Sequence, residues 1–478
     1  MRRNMNVVLA SLGLLLGTAA CDSFLTGDKL SQNPNLPTEA STTQLFMGVQ
    51  AGQFAFQEGT VAMMMCEWVQ ACSAGNSRFV QQAAQYVFGE TSNIGANGGD
   101  WISVYDAGGL IDIRHVEANT QAAGDSVWLG IAKIWEVLTI GTASDMWGDI
   151  PYSEAVGTSN SPALDNRFVI LGQLQTLLDQ AIVELAGPGP GPAGADLVFG
   201  SLPDTAQRAA WTRAAWTLKA RYYMHTAESL GTGAYTAAIA AALNGINAPS
   251  RDFRAHHGAN TSERSMWAQF QTSSGFGTDL EAGKALADYM NARNDPRRAQ
   301  YFCLNALGGY GGDDYNTPPS PDSVSNFACQ PPRFADTASV PYVTFAENEL
   351  ILAEAYNKTG NDGAAATHLN NAYATVPGLA STAGAATGAV LLDSIMMEKY
   401  VAMFQNIESM NDYRRTCIPA ITPYLANTVG FQNVPGRLFY PQNERNVNTN
   451  VPKPNDQLAT HGFRNAGDVH ACQNDNSP

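Results

Sequence analysis

The sequence predicts a mainly α-helical protein, built as a scaffold of helical hairpins with loop-rich irregular insertions and an extended C-terminal segment. Apolar residues recur at helical spacing over most of the chain. Gly- and Pro-rich stretches at 187–203 and 307–333 contain too many turn residues for helix. The tail from 418 to 478 shows almost no periodicity, so we expect it to be extended and ordered by docking onto the helices.

The N-terminus has the pattern of a secretory signal. Two arginines precede an apolar run over 7–16, which is too short to span a bilayer. Small residues then lead to Cys21, and bacteria make lipoproteins by cleaving before a cysteine whose sulfur carries a diacylglyceryl thioether. We therefore predict a lipoprotein signal peptide over 1–20, a lipidated tether over 21–40 and a single helical domain over 41–478. The alternative is ordinary signal cleavage, with Cys21 incidental.

The mature chain is strongly acidic. The whole chain has 43 acidic and 27 basic residues, and loss of the two N-terminal arginines leaves 25 basic residues and a net charge of −18. Such a surface repels nucleic acid and anionic lipid, and no basic cluster offsets it. Nucleic acid is therefore excluded as a partner, and we expect the lipid anchor to provide the contact with the membrane.

Helical periodicity extends through most of the mature chain. The predicted helices cover 40–57, 101–121, 127–147, 167–186, 207–230, 233–244, 279–292, 342–359, 363–374 and 390–405. The helix over 127–147 is apolar almost all round, so it must be buried among other helices. Gly148 suits a positive-φ position just past its end, and Pro151 prevents its continuation.

Two segments resemble tetratricopeptide units. In 342–374, Ala353 and Tyr356 precede a turn at Gly360 and a second, alanine-rich helix. The segment 214–244 has a similar arrangement of small residues. Small residues at helix crossings let paired helices stack, as that repeat requires. Because the two units are separated and degenerate, we expect a scaffold of helical hairpins rather than an uninterrupted solenoid.

The cysteines favour disulfide bonds. Six cysteines remain after Cys21, and an even number in an exported chain is typical of disulfide pairing. Fifteen connectivities are possible for six cysteines. Sequence proximity suggests the pairs Cys66–Cys72, Cys303–Cys329 and Cys417–Cys472. A zinc site is the alternative, but the sequence lacks CxxC and paired CxxH spacing.

Several motifs occur together in a recognisable order. The buried helix ends in WGDIPYSEA, and later segments are WTRAAWTLKARYYMHTAE (211–228), NDPRR (294–298), YVTFAENELILAEAYNKTG (342–360), IMMEKYVAMFQNIESMNDYRRT (395–416) and GRLFYPQNERNVN (436–448). In this order, and beside a lipoprotein signal, they resemble the SusD/RagB family of nutrient-binding outer-membrane lipoproteins. The resemblance covers most of the mature chain.

The resemblance implies a lipid-anchored outer-membrane protein that faces the cell exterior. Such a protein binds oligomeric nutrients, usually glycans and sometimes peptides, and delivers them to a TonB-dependent, SusC-like transporter in the same membrane. It implies neither catalysis nor a cofactor. Two alternatives stay open: a lipid-anchored glycoside hydrolase, which would release product from a glycan, and a tetratricopeptide adaptor that binds only protein partners.

The paired arginines Arg414 and Arg415 are predicted to be structural. Near a helix end they suit the C-terminal dipole, and guanidinium groups bind carboxylates bidentately. The candidate partners are Glu347, Glu349, Glu354 and Asp412, whereas Glu444 is expected to bind backbone amides in the tail. An anion-binding site is the alternative, although paired internal arginines usually close salt-bridge networks.

Three loop-rich regions, 66–106, 253–276 and 301–316, combine aromatic and polar side chains. Carbohydrate recognition needs flat aromatic faces for the C–H surfaces of sugars, together with Asn, Asp, Gln and Arg for the hydroxyls. From these regions we predict the ligand-binding residues Trp68, Arg78, Asp100, Trp101, Tyr105, Trp267, Tyr310 and Tyr315.

Each of these aromatic residues has a structural alternative, because large aromatic side chains mostly build cores. Trp101 and Tyr105 are four residues apart and also fit one buried helical stripe. Tyr310 and Tyr315 are the best candidates, since the segment GGYGGDDYN is flexible and polar and does not bury them easily.

The sequence predicts no catalytic residue and no metal site. It lacks HExxH, GxSxG, Rossmann and phosphate-loop motifs. Asp149 and Glu154 are the carboxylate pair to test for glycoside hydrolysis, although the resemblance makes them structural. Asp313, Asp314 and Asn316 have the chemistry of calcium ligands, but without an EF-hand loop a solvated acidic turn is the preferred interpretation.

Overall fold

The computed structural model describes residues 40–75, 85–91, 99–106, 108–272, 279–379, 384–424 and 431–469. Within these ranges the protein is mainly helical with four short strands, as the sequence predicts. The chain divides into two compact units, Met1–Gln44 and Leu45–Pro478. The described part of the first unit is limited to residues 40–44, at the start of the first helix.

The helices, in chain order, are α1 (Thr42–Glu58), α2 (Thr60–Trp68), α3 (Gly99–Tyr105), α4 (Leu110–Ala123), α5 (Ser126–Trp147), α6 (Arg167–Leu185), α7 (Asp204–Met224), α8 (Ala227–Leu230), α9 (Thr232–Ala242), α10 (Met266–Thr272), α11 (Lys284–Ala292), α12 (Arg298–Tyr301), α13 (Phe345–Lys358), α14 (Asp362–Tyr373), α15 (Gly388–Ala402), α16 (Glu408–Thr416), α17 (Gln442–Val447) and α18 (Pro454–Ala459). The strands are β1 (Cys72–Ser73), β2 (Phe253–Ala255), β3 (Glu281–Ala282) and β4 (Val340–Val343). Strand β1 pairs antiparallel with β3, and β2 pairs antiparallel with β4.

Helix α5 forms the middle of the core, because nearly all of its side chains are buried. It packs against α4 and α6 and also contacts α7. Asp125 caps its first turn, since the carboxylate accepts the amide N–H of Trp128 at 3.0 Å. Gly148 follows the helix with φ of +87°, and Pro151 comes shortly after it. Burial of this helix and the position of its end confirm the predictions.

Helical hairpins form around α7 and α13. Helix α7 pairs with α9, α13 pairs with α14, and α9 and α15 also pack against α13. A capping box starts α13: the Thr344 hydroxyl accepts the amide N–H of Glu347, and the Glu347 carboxylate accepts the amide N–H of Thr344. Small residues such as Ala238 and Ala365 are fully buried in these helices. Both tetratricopeptide-like segments therefore form the predicted hairpins.

Several element boundaries differ from the predictions. Helix α2 was not predicted, because it is apolar and buried on nearly all sides and so lacks an amphipathic period. The predicted helix over 101–121 is divided into α3 and α4, and Gly108 adopts a φ of +92° between them. The predicted helix over 279–292 begins with β3, and α11 starts at Lys284. The motif over 395–416 contains the end of α15 and all of α16.

The C-terminal tail is less extended than predicted, because it contains α17 and α18. Its phenylalanines nevertheless pack into the core as expected. Phe463 lies 4.4 Å from Phe439 and 5.0 Å from Phe431 between ring centroids, and all three rings lie near Phe88. The prediction that docking orders this segment is confirmed for the described residues.

A buried network of charges holds α13, α15 and α16 together. The Arg415 guanidinium binds both oxygens of Glu354, at 2.5 and 2.9 Å, and also lies 2.6 Å from Asp412. Lys399 contacts the same two carboxylates. Arg414 instead donates to backbone carbonyl oxygens, including that of Asp145 at 2.6 Å. The structural role predicted for the paired arginines is confirmed.

Two of the candidate acidic partners, and Glu444, have contacts other than those predicted. Glu347 forms an ion pair with Arg221 at 2.6 Å. Glu349 accepts hydrogen bonds from His368 and Asn371. Glu444 was predicted to bind backbone amides, but its carboxylate accepts side-chain N–H groups, from Trp101 at 3.3 Å and Asn448 at 3.0 Å. The sequence pattern identified acidic residues that are mostly buried, but could not assign each one to its partner.

Candidate functional site

A polar cleft of about 230 Å³ lies where four distant segments of the chain meet. Its walls come from the end of α2 and β1, the start of α11, the loop 313–316 and the segment 420–424. The lining residues are Glu67, Gln70, Cys72, Ser73, Lys284, Ala285, Asp288, Asp313, Asp314, Tyr315, Asn316, Ala420, Ile421, Thr422 and Tyr424.

Backbone pairing holds these segments together. Strand β1 pairs with β3. The loop 313–316 pairs with the residues at the end of β3, through a parallel bridge between Asp313 and Gly283. The amide of Asp313 donates to the Ala282 carbonyl at 2.8 Å, and its carbonyl accepts the amide N–H of Lys284 at 3.0 Å. Gly312 permits this approach, because a Cβ there would lie 2.4 Å from the backbone of Gly283. The position of the loop therefore depends on the absence of a side chain at residue 312.

Two disulfides fix the same region. Cys66–Cys72 joins α2 to β1, and Cys303–Cys329 closes the loop that contains residues 313–316. These are two of the three pairs that the sequence suggested. Cys417 is also disulfide-bonded. Its predicted partner, Cys472, lies outside the described residues, as does the predicted lipidation site, Cys21.

Two tyrosine rings meet in the cleft. The rings of Tyr315 and Tyr424 lie 6.3 Å apart between centroids with an interplanar angle of 83°, and both residues are partly exposed. The Tyr315 hydroxyl donates to the Ala74 carbonyl, which fixes the orientation of its ring. Burial, with a contribution from Glu67, raises the pKa of Tyr315, so the hydroxyl stays protonated at neutral pH. The pair supplies aromatic surface beside polar groups.

Oxygen atoms suited to hydrogen bonding surround these rings. The Asp313 carboxylate accepts the Ser73 hydroxyl at 2.7 Å. The Asp314 carboxylate accepts the Asn316 amide N–H at 2.9 Å and the Thr317 hydroxyl at 2.8 Å. Burial is the main cause that raises the pKa of Asp313. These contacts position the carboxylates while leaving them capacity for further donors, since each oxygen has two lone pairs.

Glu67 lies in the floor of the cleft. Its residue is 2% exposed, and neither carboxyl oxygen has a hydrogen-bond partner. Burial and the nearby Asp279 raise the pKa of Glu67 well above its usual value. Across the cleft, the Lys284 ammonium is bound to the Asp288 carboxylate. The described lining residues thus place four carboxyl groups against a single cation.

A second groove, of about 320 Å³, is apolar and lies beside α3. Trp101, Tyr105 and Pro151 line it, and Val447 is 67% exposed at its edge. Trp101 is only 4% exposed, its indole N–H donates to Glu444, and other aromatic rings pack against it. Trp101 therefore offers little ring face to a sugar, whereas Tyr105 in the same groove is partly exposed and its hydroxyl donates to the Pro151 carbonyl.

Comparison of the sequence with known families identifies this architecture. Residues 34–441 match the SusD-like family, which is described as starch-binding and associating with the outer membrane. The chain belongs to this SusD-like family. It is therefore a member of a carbohydrate-binding family that associates with the outer membrane. No curated protein matches the sequence.

Solved structures of other SusD-like proteins share the fold. A chitin-binding SusD homologue from Flavobacterium johnsoniae superposes with a TM-score of 0.71 at 20% identity, covering 89% of this chain and 98% of that one. A further protein, described as chitin-binding, gives a TM-score of 0.72 at 19% identity and covers 90% of this chain and all (100%) of that one. A SusD homologue from Bacteroides fragilis gives a TM-score of 0.69 at 17% identity, with 91% and 100% covered.

Within this SusD-like fold, two predicted ligand residues have structural positions instead. Trp68 and Trp267 are fully buried and pack against Phe88 and Phe334. The ligand-binding prediction is wrong for both in this structure, because a ligand would need to displace core contacts to reach either ring. Spacing in the sequence did not distinguish a loop aromatic from a core aromatic.

The remaining predicted ligand residues do not converge on one place. Tyr315 lines the cleft, whereas Trp101 and Tyr105 line the apolar groove. Tyr310 is partly buried, and the Arg298 guanidinium lies 5.6 Å from its ring centroid. Asp100 is partly buried in the first turn of α3. Arg78 lies outside the described residues.

Sequence reasoning missed several residues that line the cleft, including Glu67, Gln70, Lys284 and Tyr424. They belong to segments that are far apart in the chain. Gln70 had one usable signal, since it follows a buried helix and precedes a cysteine, but nothing in the sequence places it 2.6 Å from the Thr422 carbonyl oxygen.

A buried cluster of Asp145, His225 and Glu408 has metal-type ligand atoms within reach of one another. The two imidazole nitrogens lie 2.9 Å from Asp145 Oδ2 and 2.9 Å from Glu408 Oε2. Arg167 and Arg221 contact the same carboxylates from other sides. Burial opposes protonation of His225, but the two carboxylates outweigh it and raise its pKa to about 8. The cluster carries its own cations, so it is a structural ion-pair network.

The carboxylates suggested for glycoside hydrolysis also have structural contacts. Asp149 accepts the amide N–H of Arg167 at 2.8 Å, at the start of α6. Glu154 accepts the amide N–H of Ala163 at 3.1 Å. Both groups stabilise the segment that connects α5 to α6.

Proposed function

We propose that this protein is a cell-surface lipoprotein that captures glycan oligomers in the cleft and delivers them to a TonB-dependent, SusC-like transporter. The observation that carries the proposal is the combination of Tyr315 and Tyr424 with carboxylate, amide and hydroxyl groups in one accessible cleft. Aromatic rings pack against the C–H faces of sugars, and the polar groups accept or donate hydrogen bonds to their hydroxyls.

The loop that carries Tyr315 is well suited to binding without a large ordering cost. A disulfide closes it, and backbone hydrogen bonds join Asp313 to Ala282 and Lys284. The Tyr315 hydroxyl already donates a hydrogen bond to the Ala74 carbonyl. Groups that are fixed before binding lose little conformational entropy when the ligand arrives. This preorganisation supports selective capture rather than loose adsorption.

The other parts of the proposal rest on the family and the N-terminal sequence. The family is described as associating with the outer membrane, and Cys21 follows a short apolar signal. A lipid anchor on Cys21 would hold the cleft at the membrane surface, where a transporter can accept its ligand. Palmitate labelling of the wild type and of Cys21→Ser tests the anchor, and co-purification from the outer membrane tests the transporter.

Binding to the cleft is tested by calorimetry with the mature chain. The ligands are maltooligosaccharides, N-acetylglucosamine oligomers and peptide mixtures, because the family is described as starch-binding and two structural neighbours as chitin-binding. We expect saturable binding of a glycan, weakened at least about tenfold, or about 1.4 kcal/mol, by Tyr315→Ala or Tyr424→Ala.

Tyr223→Ala is the matched control, because Tyr223 is a partly exposed tyrosine on α7 away from the cleft. Equal losses from Tyr223→Ala and Tyr315→Ala would contradict a site in the cleft. Release of shorter glycans during the titration would favour the hydrolase alternative. Absence of any glycan or peptide binding would favour the adaptor alternative.

A further inference from the structure

The charge of the cleft is not balanced by the protein. Among the described lining residues, the carboxyl groups belong to Glu67, Asp288, Asp313 and Asp314, and the single cationic side chain is Lys284. The Lys284 ammonium is already bound to Asp288. Asp288 chiefly, with a contribution from Asp314, raises the pKa of Lys284, so Glu67 and Asp313 are the two described lining carboxyl groups without a cation beside them.

Buried carboxylates elsewhere in the described residues have a cation or several hydrogen bonds in contact; Asp196, for example, accepts the indole N–H of Trp211 and the side-chain amide of Gln207. Glu354 binds Arg415 and Lys399, and Glu398 binds Arg293 and Arg297. Burial of a carboxylate is costly unless a cation or several hydrogen bonds compensate for lost water. Glu67 is an exception to this pattern, because it is buried and neither of its oxygens has a partner.

Acidic neighbours influence the carboxyl groups in and beside the cleft. Burial and Asp279 raise the pKa of Glu67, and burial and Asp313 raise the pKa of Glu281 beside the cleft. Burial also raises the pKa of Asp313, although the Ser73 hydroxyl opposes it. In all three groups burial disfavours the ionised carboxylate, and a proton or an adjacent cation would compensate for that cost.

We propose that the cleft selects glycans that carry protonated amino groups, such as deacetylated amino-sugar oligomers, over uronic-acid and sulfated glycans. The proposal rests on the proposed function, since it names the chemical class of the captured ligand. A ring of such a sugar packs on Tyr315 or Tyr424 while its ammonium donates to the carboxylates of the cleft. A uronate or sulfate would instead add a like charge at the same place.

The test compares three oligomers of equal length: glucosamine, N-acetylglucosamine and galacturonic acid. Calorimetry with the mature chain is done at about pH 6, where an amino-sugar amine is protonated. A bound ammonium favours the ionised form of the cleft carboxyl groups, whose pKa burial raises in the free protein. At low salt we expect the glucosamine oligomer to bind about tenfold more tightly than the N-acetylated oligomer and the galacturonate oligomer not to bind. Salt at about 0.15 M should reduce the preference, because it shortens the Debye length from ~30 to ~8 Å.

Variants in which a cleft carboxyl group is replaced by an amide, which cannot ionise, locate the source of the preference for amino groups. We expect Glu67→Gln and Asp314→Asn each to reduce the preference for the glucosamine oligomer at least threefold while leaving affinity for the N-acetylated oligomer unchanged. The matched control is Asp322→Asn, an exposed aspartate of the same disulfide-closed loop that does not line the cleft. Because both test variants keep the shape of the side chain, unchanged circular dichroism would exclude unfolding as the cause.

Four outcomes overturn the inference, and they differ from failure of the proposed function. Equal binding of amino and N-acetylated oligomers, or tighter binding of galacturonate, would contradict it while leaving glycan capture intact. A preference that all three substitutions reduce equally would also contradict it. Binding that requires Ca²⁺ and disappears with a chelator would assign the carboxylates to a metal ion instead. If no oligomer binds, the proposed function itself fails.

Discussion

His225 predicts how the stability of the scaffold changes with pH. Burial alone would lower its pKa, but Asp145 and Glu408 outweigh burial and raise the pKa to about 8. In an unfolded chain the pKa of histidine is about 6.5. At 1.36 kcal/mol for each pKa unit, the difference corresponds to about 2 kcal/mol of folding free energy. This is a large contribution for one side chain, since whole domains are stable by about 5–15 kcal/mol.

The sign follows from the direction of the shift. A group whose pKa is raised in the folded state stabilises the fold while it is protonated. The contribution of His225 is therefore complete below about pH 6.5 and is lost as the pH rises through about 8. Above that range, Asp145 and Glu408 lose the cation between them. They keep their contacts with Arg167 at 2.7 Å and Arg221 at 3.9 Å, and the hydrogen bonds that both accept from the side-chain amide of Asn411.

Urea unfolding of the mature chain at about pH 6.5 and pH 9 measures this contribution. We expect the free energy of unfolding to fall by about 2 kcal/mol more in the wild type than in His225→Gln. The comparison must be between proteins, because Glu58 also raises the pKa of His257 against the effect of burial and contributes with the same sign. His115→Gln, at an exposed histidine, is the control and should behave like the wild type.

A constant difference between wild type and His225→Gln at both pH values would refute this reasoning. It would mean that the proton on His225 does not stabilise the fold. The same conclusion would follow if nuclear magnetic resonance titration gave His225 a pKa at or below 6.5 in the folded protein.

Two further predictions concern the core and the cleft. Glu354→Gln should lower the free energy of unfolding by about 3 kcal/mol, because it leaves Arg415 and Lys399 buried beside one fewer carboxylate. Urea unfolding near pH 7 measures this change, and a loss below about 1 kcal/mol would contradict this account. The double variant Cys303→Ser and Cys329→Ser should bind glycan more weakly in calorimetry, because the disulfide closes the loop that lines the cleft. Its far-ultraviolet circular dichroism should change little, since this loop lies outside the helical core. Unchanged affinity would show that backbone pairing alone fixes the loop.

The helical scaffold was largely predictable from the sequence because its signals are local. The helix over 127–147 is predicted from its continuous apolar composition, and it ends before Gly148, as expected. The hairpins around α7 and α13 follow from alanine at helix crossings. Helix α16 is harder to interpret, because its sequence is polar although nearly all of it is buried. Its burial depends on ion pairs with distant helices, which periodicity does not report.

The candidate site was less predictable, because its residues come together only through long-range contacts. Tyr315 was identified from a Gly- and Asp-rich loop, but its partner Tyr424 lies in the proline-containing tail. Trp68 and Trp267 show the limit of composition: both lie in regions rich in loop residues, yet both are in the core. A large aromatic residue contributes similar sequence information in either place, and only the packing of other segments decides which face stays open.

The same reasoning separates the two grooves by chemistry. In the groove beside α3, Trp101 is enclosed by other rings and Val447 is exposed, so the open surface is mainly aliphatic apart from the partly exposed ring of Tyr105. In the polar cleft, the open surface combines tyrosine rings with carboxyl groups, and the core behind it leaves Glu67 without a donor. Aliphatic surface lowers its free energy by contact with other apolar surface, whereas an unmatched carboxyl group does so by contact with a donor or a cation. A glycan bearing amino groups satisfies the second requirement and not the first, which is why we propose ligand capture in the cleft and not in the apolar groove.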